Sequence, residues 1–294
     1  MTNYNFSSKF KPANILSIIL FILSVIFIAF KGLNYGIDFK GGTLIELRSI
    51  NTDVSSIRNS LNEMSLGDVN VKKFGKEGDF LIKVEEQGDN NNLIPKIKQK
   101  LSDSLNSEIN FRRVENVGPK VSAELLQSGI IAITLSLAAM LFYIWVRFEW
   151  QFSVGAIAAL FHDVIITLGI FSALSLEINL SIVAAVLTIV GYSMNDTVVI
   201  YDRVRENLKK YSDIEIFDLT NLSINETLSR TIITSSTTLL ALLSIFLFGG
   251  EILKGFSLAM ILGVILGTYS SIFIANPLLV FFKVSQKTVL KEDN

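Results

Sequence analysis

The sequence contains no cysteine and only one histidine, His162. The chain therefore forms no disulfide and has no cysteine-based metal or redox site. A single histidine leaves too little material for a histidine-ligated metal centre. Charged residues are also scarce, at 18%, and the formal net charge is −1, so nothing in the composition suggests a nucleic-acid partner.

Motifs of catalysis and nucleotide binding are equally absent. The sequence shows no motif that combines a nucleophile, a general base and a group that orients the base. Gly41-Gly42 is not followed by the Lys-Ser/Thr of a phosphate-binding loop. We therefore expect a protein that is not an enzyme or ATPase and has no cofactor. Its energy source, if it has one, would be an ion gradient.

Apolar residues dominate what remains. They make up 50% of the chain, and the mean hydropathy is +0.49, which fits a multi-pass membrane protein. Each of six apolar runs has about the length that crosses a bilayer. The runs lie at about 13–30, 128–146, 152–175, 178–201, 231–248 and 256–282.

Lysine and arginine in the short connections predict the orientation. They collect at the N terminus, in a predicted loop at 202–229 and at the C terminus, which places these segments in the cytoplasm. The first run lacks a small-x-small cleavage site and is expected to remain as an anchor. The predicted organisation is listed from tail to tail: cytoplasmic tail 1–12, span 13–30, extracytoplasmic domain 31–127, five spans within 128–282, and cytoplasmic tail 283–294.

The 31–127 segment has the composition of a soluble domain. Apolar alternation predicts a strand at Ile37 and Phe39, a turn at Gly41-Gly42, and further strands at 43–48, 68–74, 79–86 and 109–117. Helical spacing predicts helices at 52–64 and 91–105. The order β-α-β-β-α-β is that of a small ferredoxin-like α+β domain.

Asn195 and Asp196 interrupt the fourth apolar run near its inner end. A charged Asp near the bilayer centre costs about 2.5–3.5 kcal/mol on insertion scales, so it usually faces a bundle interior or a water path. One interpretation is that Asp196 caps a helix or contacts lipid headgroups. The other is that it is a carboxylate that takes up and releases an ion.

Arg230 begins the fifth run and leads a stripe of small and hydroxyl residues through Thr234. Arg230 is either an interfacial anchor or an inward-facing cation, and the hydroxyl stripe favours the inward position. His162 and Asp163 lie deeper, in the third run. Both are expected to make auxiliary polar contacts between helices, with a role in proton transfer as the alternative.

Five segments, taken together and in this order, resemble the SecF-type members of the SecD/SecF family of bacterial protein export, within the RND superfamily. The resemblance covers nearly the whole chain, although Met194 and Tyr201 occupy positions where other apolar residues are expected. The segments are GIDFKGGTLIELR (36–48), VENVGPKVSAELL (114–126), FHDVIITLG (161–169), GYSMNDTVVIYDRVREN (191–207) and INETLSRTIITSSTTLLALL (224–243).

The resemblance implies a function and a set of partners. SecD is the expected heterodimer partner, beside the SecYEG channel, SecA, YajC and the translocating preprotein, in the bacterial inner membrane. The family's proton-path carboxylate and arginine fall on Asp196 and Arg230. From the sequence itself, we expect Asp163, His162, Asn195 and Thr234 to be auxiliary polar residues within the membrane. The proton gradient is the implied energy source, and sodium is the alternative ion. Movement of the outer domain is expected to pass through the helix at 119–127.

Two other functions remain open from the sequence. A stand-alone RND-type exporter of small molecules or lipids is disfavoured, because one outer domain of about 95 residues is too little for a drug-binding pocket. A membrane scaffold that uses no energy and only holds SecD at the channel is the other alternative.

Overall fold

The computed structural model describes residues 4–50, 52–64, 66–67, 69–85, 93–105, 108–211 and 213–290. The predicted positions 68, 86 and 91–92, and the outermost residues of both tails, lie outside these ranges. The chain divides into two compact units, one of Met1–Asn34 with Ile131–Asn294 and one of Tyr35–Ile130.

Eleven helices and six strands are described. The helices are α1 (Phe10–Lys31), α2 (Ile37–Lys40), α3 (Val54–Asn62), α4 (Leu93–Ser104), α5 (Pro119–Arg147), α6 (Trp150–Ala173), α7 (Leu180–Lys210), α8 (Ile216–Phe248), α9 (Gly250–Ser270), α10 (Asn276–Phe281) and α11 (Gln286–Leu290). The strands are β1 (Asn34–Tyr35), β2 (Gly42–Arg48), β3 (Val69–Lys73), β4 (Asp79–Val84), β5 (Asn110–Val117) and β6 (Glu177–Ile178).

Six helical segments of the described chain are long and apolar enough to cross a membrane, as predicted. Five are single helices, α1, α5, α6, α7 and α8. The sixth, Ile252–Phe281, joins α9 and α10 through a π-helical turn at Ser271–Ala275. The fold class is therefore confirmed: a multi-pass α-helical membrane protein with six transmembrane helices and a small α+β ferredoxin-like domain.

The segment 202–229, predicted as a loop, is mostly helical. Helix α7 continues to Lys210 and α8 begins at Ile216. Both extensions are stabilised because they pack on each other: Val204, Leu208 and Leu219 are buried in one apolar cluster. The polar connection at 202–229 thus consists of the end of α7 and the start of α8, whose apolar side chains pack against each other.

Close helix contacts in the membrane unit depend on small residues. A methyl group at Gly169 would overlap Ser24 of α1, and one at Gly155 would overlap the hydroxyl of Tyr201 on α7. These glycines let helix backbones approach closely. A methyl group at Gly191 would meet nothing within 4 Å, so that glycine contributes no such contact here.

The second unit is a four-stranded antiparallel sheet in the order β3-β4-β2-β5. Its core lies between one sheet face and helices α3 and α4, where side chains such as Ile45, Ile57, Phe80 and Ile97 are fully buried. The element order and strand order are those of a ferredoxin-like fold, as predicted.

The strand predicted at Ile37 and Phe39 is wrong: Ile37–Lys40 is the single-turn helix α2. The backbone N–H groups of Lys40 and Gly41 close the turn on Gly36 and Ile37, at 3.0 and 2.9 Å. Both apolar side chains are buried, so a period of two residues did not distinguish a helical turn from a strand. The glycine turn itself is present, with φ of 79° at Gly41 and 121° at Gly42, a region that glycine adopts without strain.

Candidate ion-coupling site within the membrane

Asp196 lies on the face of α7 that packs against α9, and its exposed fraction is 3%. The hydroxyl of Thr268, on α9, donates to Asp196 Oδ2 at 3.3 Å. Thr268 Oγ1 also lies 2.7 Å from Ser235 Oγ on α8. A chain of neutral hydroxyl groups therefore joins three helices to this carboxylate.

Asp163 is the second buried carboxylate, and none of its surface is exposed. Its Oδ2 accepts hydrogen bonds from Ser193 on α7 at 2.6 Å and from Ser270 on α9 at 2.7 Å. Its Oδ1 lies 2.9 Å from Nδ1 of His162. Asp163 thus connects α6 with both helices that hold the Asp196 site.

The two carboxylates differ in how well they are held. Asp163 has three close contacts, whereas the Thr268 contact of Asp196 is longer than the roughly 2.5–3.0 Å usual for a hydroxyl donor. Asp163 is therefore fixed in place. Asp196 sits in a looser hydroxyl environment, which is better suited to a group that changes its protonation state.

Between the two sites, α7 and α9 have matching polar positions. Ser193 and Thr197 are one turn apart on α7 and lie on the same face as Asp196. Thr197 Oγ1 lies 2.9 Å from Ser271 Oγ at the end of α9. A sliding movement of α7 against α9 would therefore alter the contacts of both carboxylates together.

The sixth span contains a π-helical turn directly after Ser270, at Ser271–Ala275. Side chains hold its carbonyl oxygens: Asn276 Nδ2 donates to Ser271 O at 2.7 Å, and Tyr201 Oη donates to Ala275 O at 3.0 Å. π-Helical turns inside α-helices occur frequently at functional sites. This turn was not predicted, although Pro277 inside an apolar run signals a disturbed helix.

Arg230 is exposed on the surface of this chain taken by itself, and its inward position in an assembled complex stays a prediction. Arg230 is exposed and Thr234 is half-buried, with the Thr234 hydroxyl donating to the carbonyl of Arg230 at 2.8 Å. The hydroxyl residues of α8 that are buried lie on another face, at Thr227, Thr231 and Ser235. Helical spacing predicts a polar stripe on α8, but it does not show which of the two polar stripes packs against the other helices of this chain.

Asn195 is also exposed, on the opposite side of α7 from its buried polar residues. Of the predicted residues, the structure therefore encloses Asp196, Asp163 and His162, and leaves Asn195 and Arg230 on the surface of the membrane unit. Sequence reasoning missed Ser193, Ser235, Thr268 and Ser270, because isolated hydroxyl residues are common in membrane helices and carry no distinctive spacing.

The enclosed groups can exchange protons and hydrogen bonds, and their ligating atoms are mainly oxygens. Within the described residues, no group of three or more His, Cys, Asp or Glu side chains is arranged to hold a metal ion. The geometry is that of buried carboxylates between packed helices.

Comparison with protein families gives two matches in this chain. The family described as "Protein export membrane protein SecD/SecF, C-terminal" matches residues 96–285, and the "SecD/SecF GG Motif" matches residues 26–49. The second match includes the Gly41-Gly42 turn.

Curated relatives are similar over most of their length. A protein translocase subunit SecF of Rickettsia bellii is 47% identical over 283 residues, which cover 95% of this chain and 93% of the relative. One from Cereibacter sphaeroides is 42% identical over 280 residues, covering 92% and 86%.

Solved structures share the fold. The crystal structure of SecDF from Thermus thermophilus, described as a translocon-associated membrane protein, superposes with a TM-score of 0.87 at 36% identity. The match covers 96% of this chain and 39% of that one. SecDF in a super-membrane-facing form gives a TM-score of 0.72 at 34% identity, covering 100% and 40%. The chain belongs to the SecD/SecF family of protein export membrane proteins.

Proposed function

We propose that this chain is the SecF-type subunit of a bacterial protein translocase and uses the proton gradient to assist preprotein movement across the cytoplasmic membrane. Relatives at 42–47% identity bear the name of that subunit. The observation that carries the energetic part is Asp196, a carboxylate enclosed at 3% exposure among neutral hydroxyl groups.

The same proposal includes a SecD partner. The chain spans 39% of the SecDF chain that it resembles, and a separate SecD subunit would supply the counterpart of the remaining part. The exposed Asn195 and Arg230 support such a partner, because polar side chains within a membrane normally face protein or water rather than lipid. SecYEG, SecA and YajC are further proposed partners, with both termini in the cytoplasm and the α+β unit outside.

In this mechanism, Asp196 takes up a proton from the outer side and releases it toward the cytoplasm. Neutral Asp196 keeps only weak hydroxyl contacts, while charged Asp196 attracts Thr268 and, through the partner interface, the cation of Arg230. Each proton that moves through the membrane potential releases about 2.3 kcal/mol per 100 mV. The alternation changes the packing of α7 on α8 and α9, and α5 carries the movement to the α+β unit.

The test is export into proteoliposomes that contain this chain, its SecD partner and the translocon, with and without a proton gradient. Asp196→Asn is isosteric and is expected to leave assembly intact while it removes the stimulation of export by the gradient. Glu206→Gln is the matched control on α7, since Glu206 is exposed and forms a surface ion pair with Arg203. Full stimulation in the Asp196→Asn complex would leave a scaffold that uses no energy as the remaining function.

A further inference from the structure

His162 is buried beside Asp163, with an exposed fraction of 5%. Oδ2 of Asp163 already accepts hydrogen bonds from Ser193 and Ser270, and Oδ1 lies 2.9 Å from His162 Nδ1. A carboxylate that accepts at both oxygens requires a donor at Nδ1. With Asp163 ionised, this contact assigns the imidazole proton to Nδ1, so that Asp163 sets the tautomer.

The other ring nitrogen, Nε2, is buried and has no hydrogen-bond partner among the residues that the structure describes. With the proton on Nδ1, Nε2 of the neutral ring has a lone pair and can only accept. A buried acceptor without a partner is unfavourable, because it has lost its hydrogen bonds to water. This atom is thus a basic site in the membrane interior that the contacts described so far do not use.

The surroundings of the ring suit a positive charge. Asp163 supplies a carboxylate at hydrogen-bond distance. The ring of Tyr269 stacks on the imidazole with 6.1 Å between centroids and 24° between planes. Aromatic faces attract cations at about this distance. Tyr269 is itself fixed to α1, where its hydroxyl donates to Ala13 O at 2.8 Å and lies 2.9 Å from Ser17 Oγ.

We propose that His162 is a second proton-binding group of this protein, with Nε2 as the binding atom and Asp163 as its counter-ion. The proposal rests on the proposed proton-driven function. A proton delivered by water adds to the Nε2 lone pair and forms an N–H bond, which gives an imidazolium paired with the Asp163 carboxylate. Release of the same proton to water restores the neutral ring, and the Nδ1 proton stays in place throughout.

Few other titratable groups come near this pair from the helices packed on α6. Helix α9 contributes Tyr269, and α7 contributes Asp196, Tyr192 and Tyr201. Helix α1 has lysines only near its two ends, and the π-helical turn and α10 have no ionisable residue. Asp163 is therefore the nearest charged group to the ring among those described.

The pair is connected to the Asp196 site through α7 and α9, which supply hydrogen-bond partners to both aspartates or carry them. Ser193 binds Asp163 and lies one turn from Asp196, and Ser270 binds Asp163 two residues after Thr268, which binds Asp196. A change of charge on His162 changes the pull of Asp163 on both serines. Proton binding at His162 is thereby coupled to the alignment of α7 and α9 around Asp196.

Because His162 is the only histidine of the chain, its protonation can be observed without ambiguity. We would label the chain with ¹⁵N-imidazole histidine, purify it through a tag that contains no histidine, and combine it with unlabelled SecD partner in nanodiscs. The ¹⁵N signals would be followed from about pH 5 to about pH 8, the range in which histidine usually changes charge. We expect Nε2 to change from protonated to unprotonated while Nδ1 remains protonated.

Two variants complete the experiment. Asp163→Asn removes the counter-ion, so Nε2 is expected to stay unprotonated across the same pH range, with Ser257→Ala as a control for a buried hydroxyl elsewhere on α9. His162→Gln is expected to lower proton flux through the reconstituted complex.

The outcomes separate this proposal from the proposed function. An Nε2 that keeps one protonation state across the range, in a complex that does conduct protons, overturns the role of His162 only. Unchanged proton flux in an assembled His162→Gln complex overturns it as well. A wild-type complex that passes no protons, and whose export ignores the gradient, overturns the proposed function on which it rests.

Discussion

At the scale of single residues, the two buried aspartates illustrate different uses of one side chain. Asp163 is held by two serines and a histidine, whereas Asp196 has a long contact to Thr268. A carboxylate with several close donors stabilises the helices that supply them. One with weak donors can change its charge with little rearrangement.

Removing one hydrogen-bond donor at a time tests how much the contacts to Asp163 stabilise the protein. Ser193→Ala and Ser270→Ala are each expected to lower the free energy of unfolding by about 1.5–3 kcal/mol, the range for hydrogen bonds to charged groups. Ser257→Ala is the matched control, because Ser257 is equally buried but donates to carbonyls of its own helix. Unfolding titrations in detergent measure the difference, and equal losses in all three variants would show that the serines do not support Asp163.

At the scale of elements, sequence and structure agree where periodicity is long and differ where it is short. The six spans and the β-α-β-β-α-β order follow from extended apolar patterns, which packing does not override. The single turn at Ile37–Lys40 is too short for such a pattern. The exposure of Arg230 in this chain was not predicted either. Helix α8 has two polar stripes, and its sequence does not show which stripe the other helices of the chain cover.

The contact between Gly155 and Tyr201 fixes α6 against α7 and the π-helical turn. Gly155→Ala is expected to destabilise the protein, because the methyl group would overlap the Tyr201 hydroxyl. Tyr201→Phe in the same chain should restore part of that loss by removing the oxygen. Gly191→Ala is the control, since it meets nothing within 4 Å. The measurement is the thermal unfolding temperature of the wild type, the two single glycine variants and the double variant. If the double variant unfolds at the same temperature as Gly155→Ala, the Tyr201 hydroxyl is not the source of the strain.

In the α+β unit, Lys83 on β4 introduces a pH dependence. Burial, together with the positive charge of Lys72, lowers the pKa of Lys83 to about 8 from 10.5, while Asp38 acts in the opposite direction. Between these two pH values the unfolded chain binds a proton at this position that the folded unit does not. The stability of the unit therefore rises as the pH increases from about 8 toward 10.5.

Hydrogen exchange of the β3 and β4 amides in the full-length protein, corrected for the intrinsic rate at each pH, measures this effect. Protection should increase over that interval, and Lys83→Met should remove the increase. A wild-type protein whose protection falls over the same interval would refute the assigned burial of Lys83.

At the scale of the whole molecule, the membrane unit exposes small and polar residues of two spanning helices. Gly191 and Asn195 on α7 and Arg230 on α8 are exposed, although they belong to membrane-spanning helices. Residues of this kind are typical of contacts between membrane helices rather than of contacts with lipid. A second subunit on this surface would also bring Arg230 into a protein environment close to Asp196.

Because the chain contains no cysteine, a single introduced cysteine can be labelled specifically with a photo-crosslinker. A benzophenone attached to Gly191→Cys or Asn195→Cys is expected to form an adduct with the SecD partner in membranes. Ile18→Cys, on the exposed apolar side of α1, is the control and should give mainly lipid adducts. Partner adducts at Ile18 with none at Asn195 would place the interface on another side of the molecule.

The central claim is that Asp196 gains and loses a proton while it is enclosed by helices. Infrared difference spectroscopy of the reconstituted complex, recorded as the pH is changed, measures this directly. The account predicts a protonated carboxyl band at low pH that disappears as the pH rises and is missing in Asp196→Asn but present in Glu206→Gln. A spectrum in which no carboxyl band depends on Asp196 at any pH would contradict it.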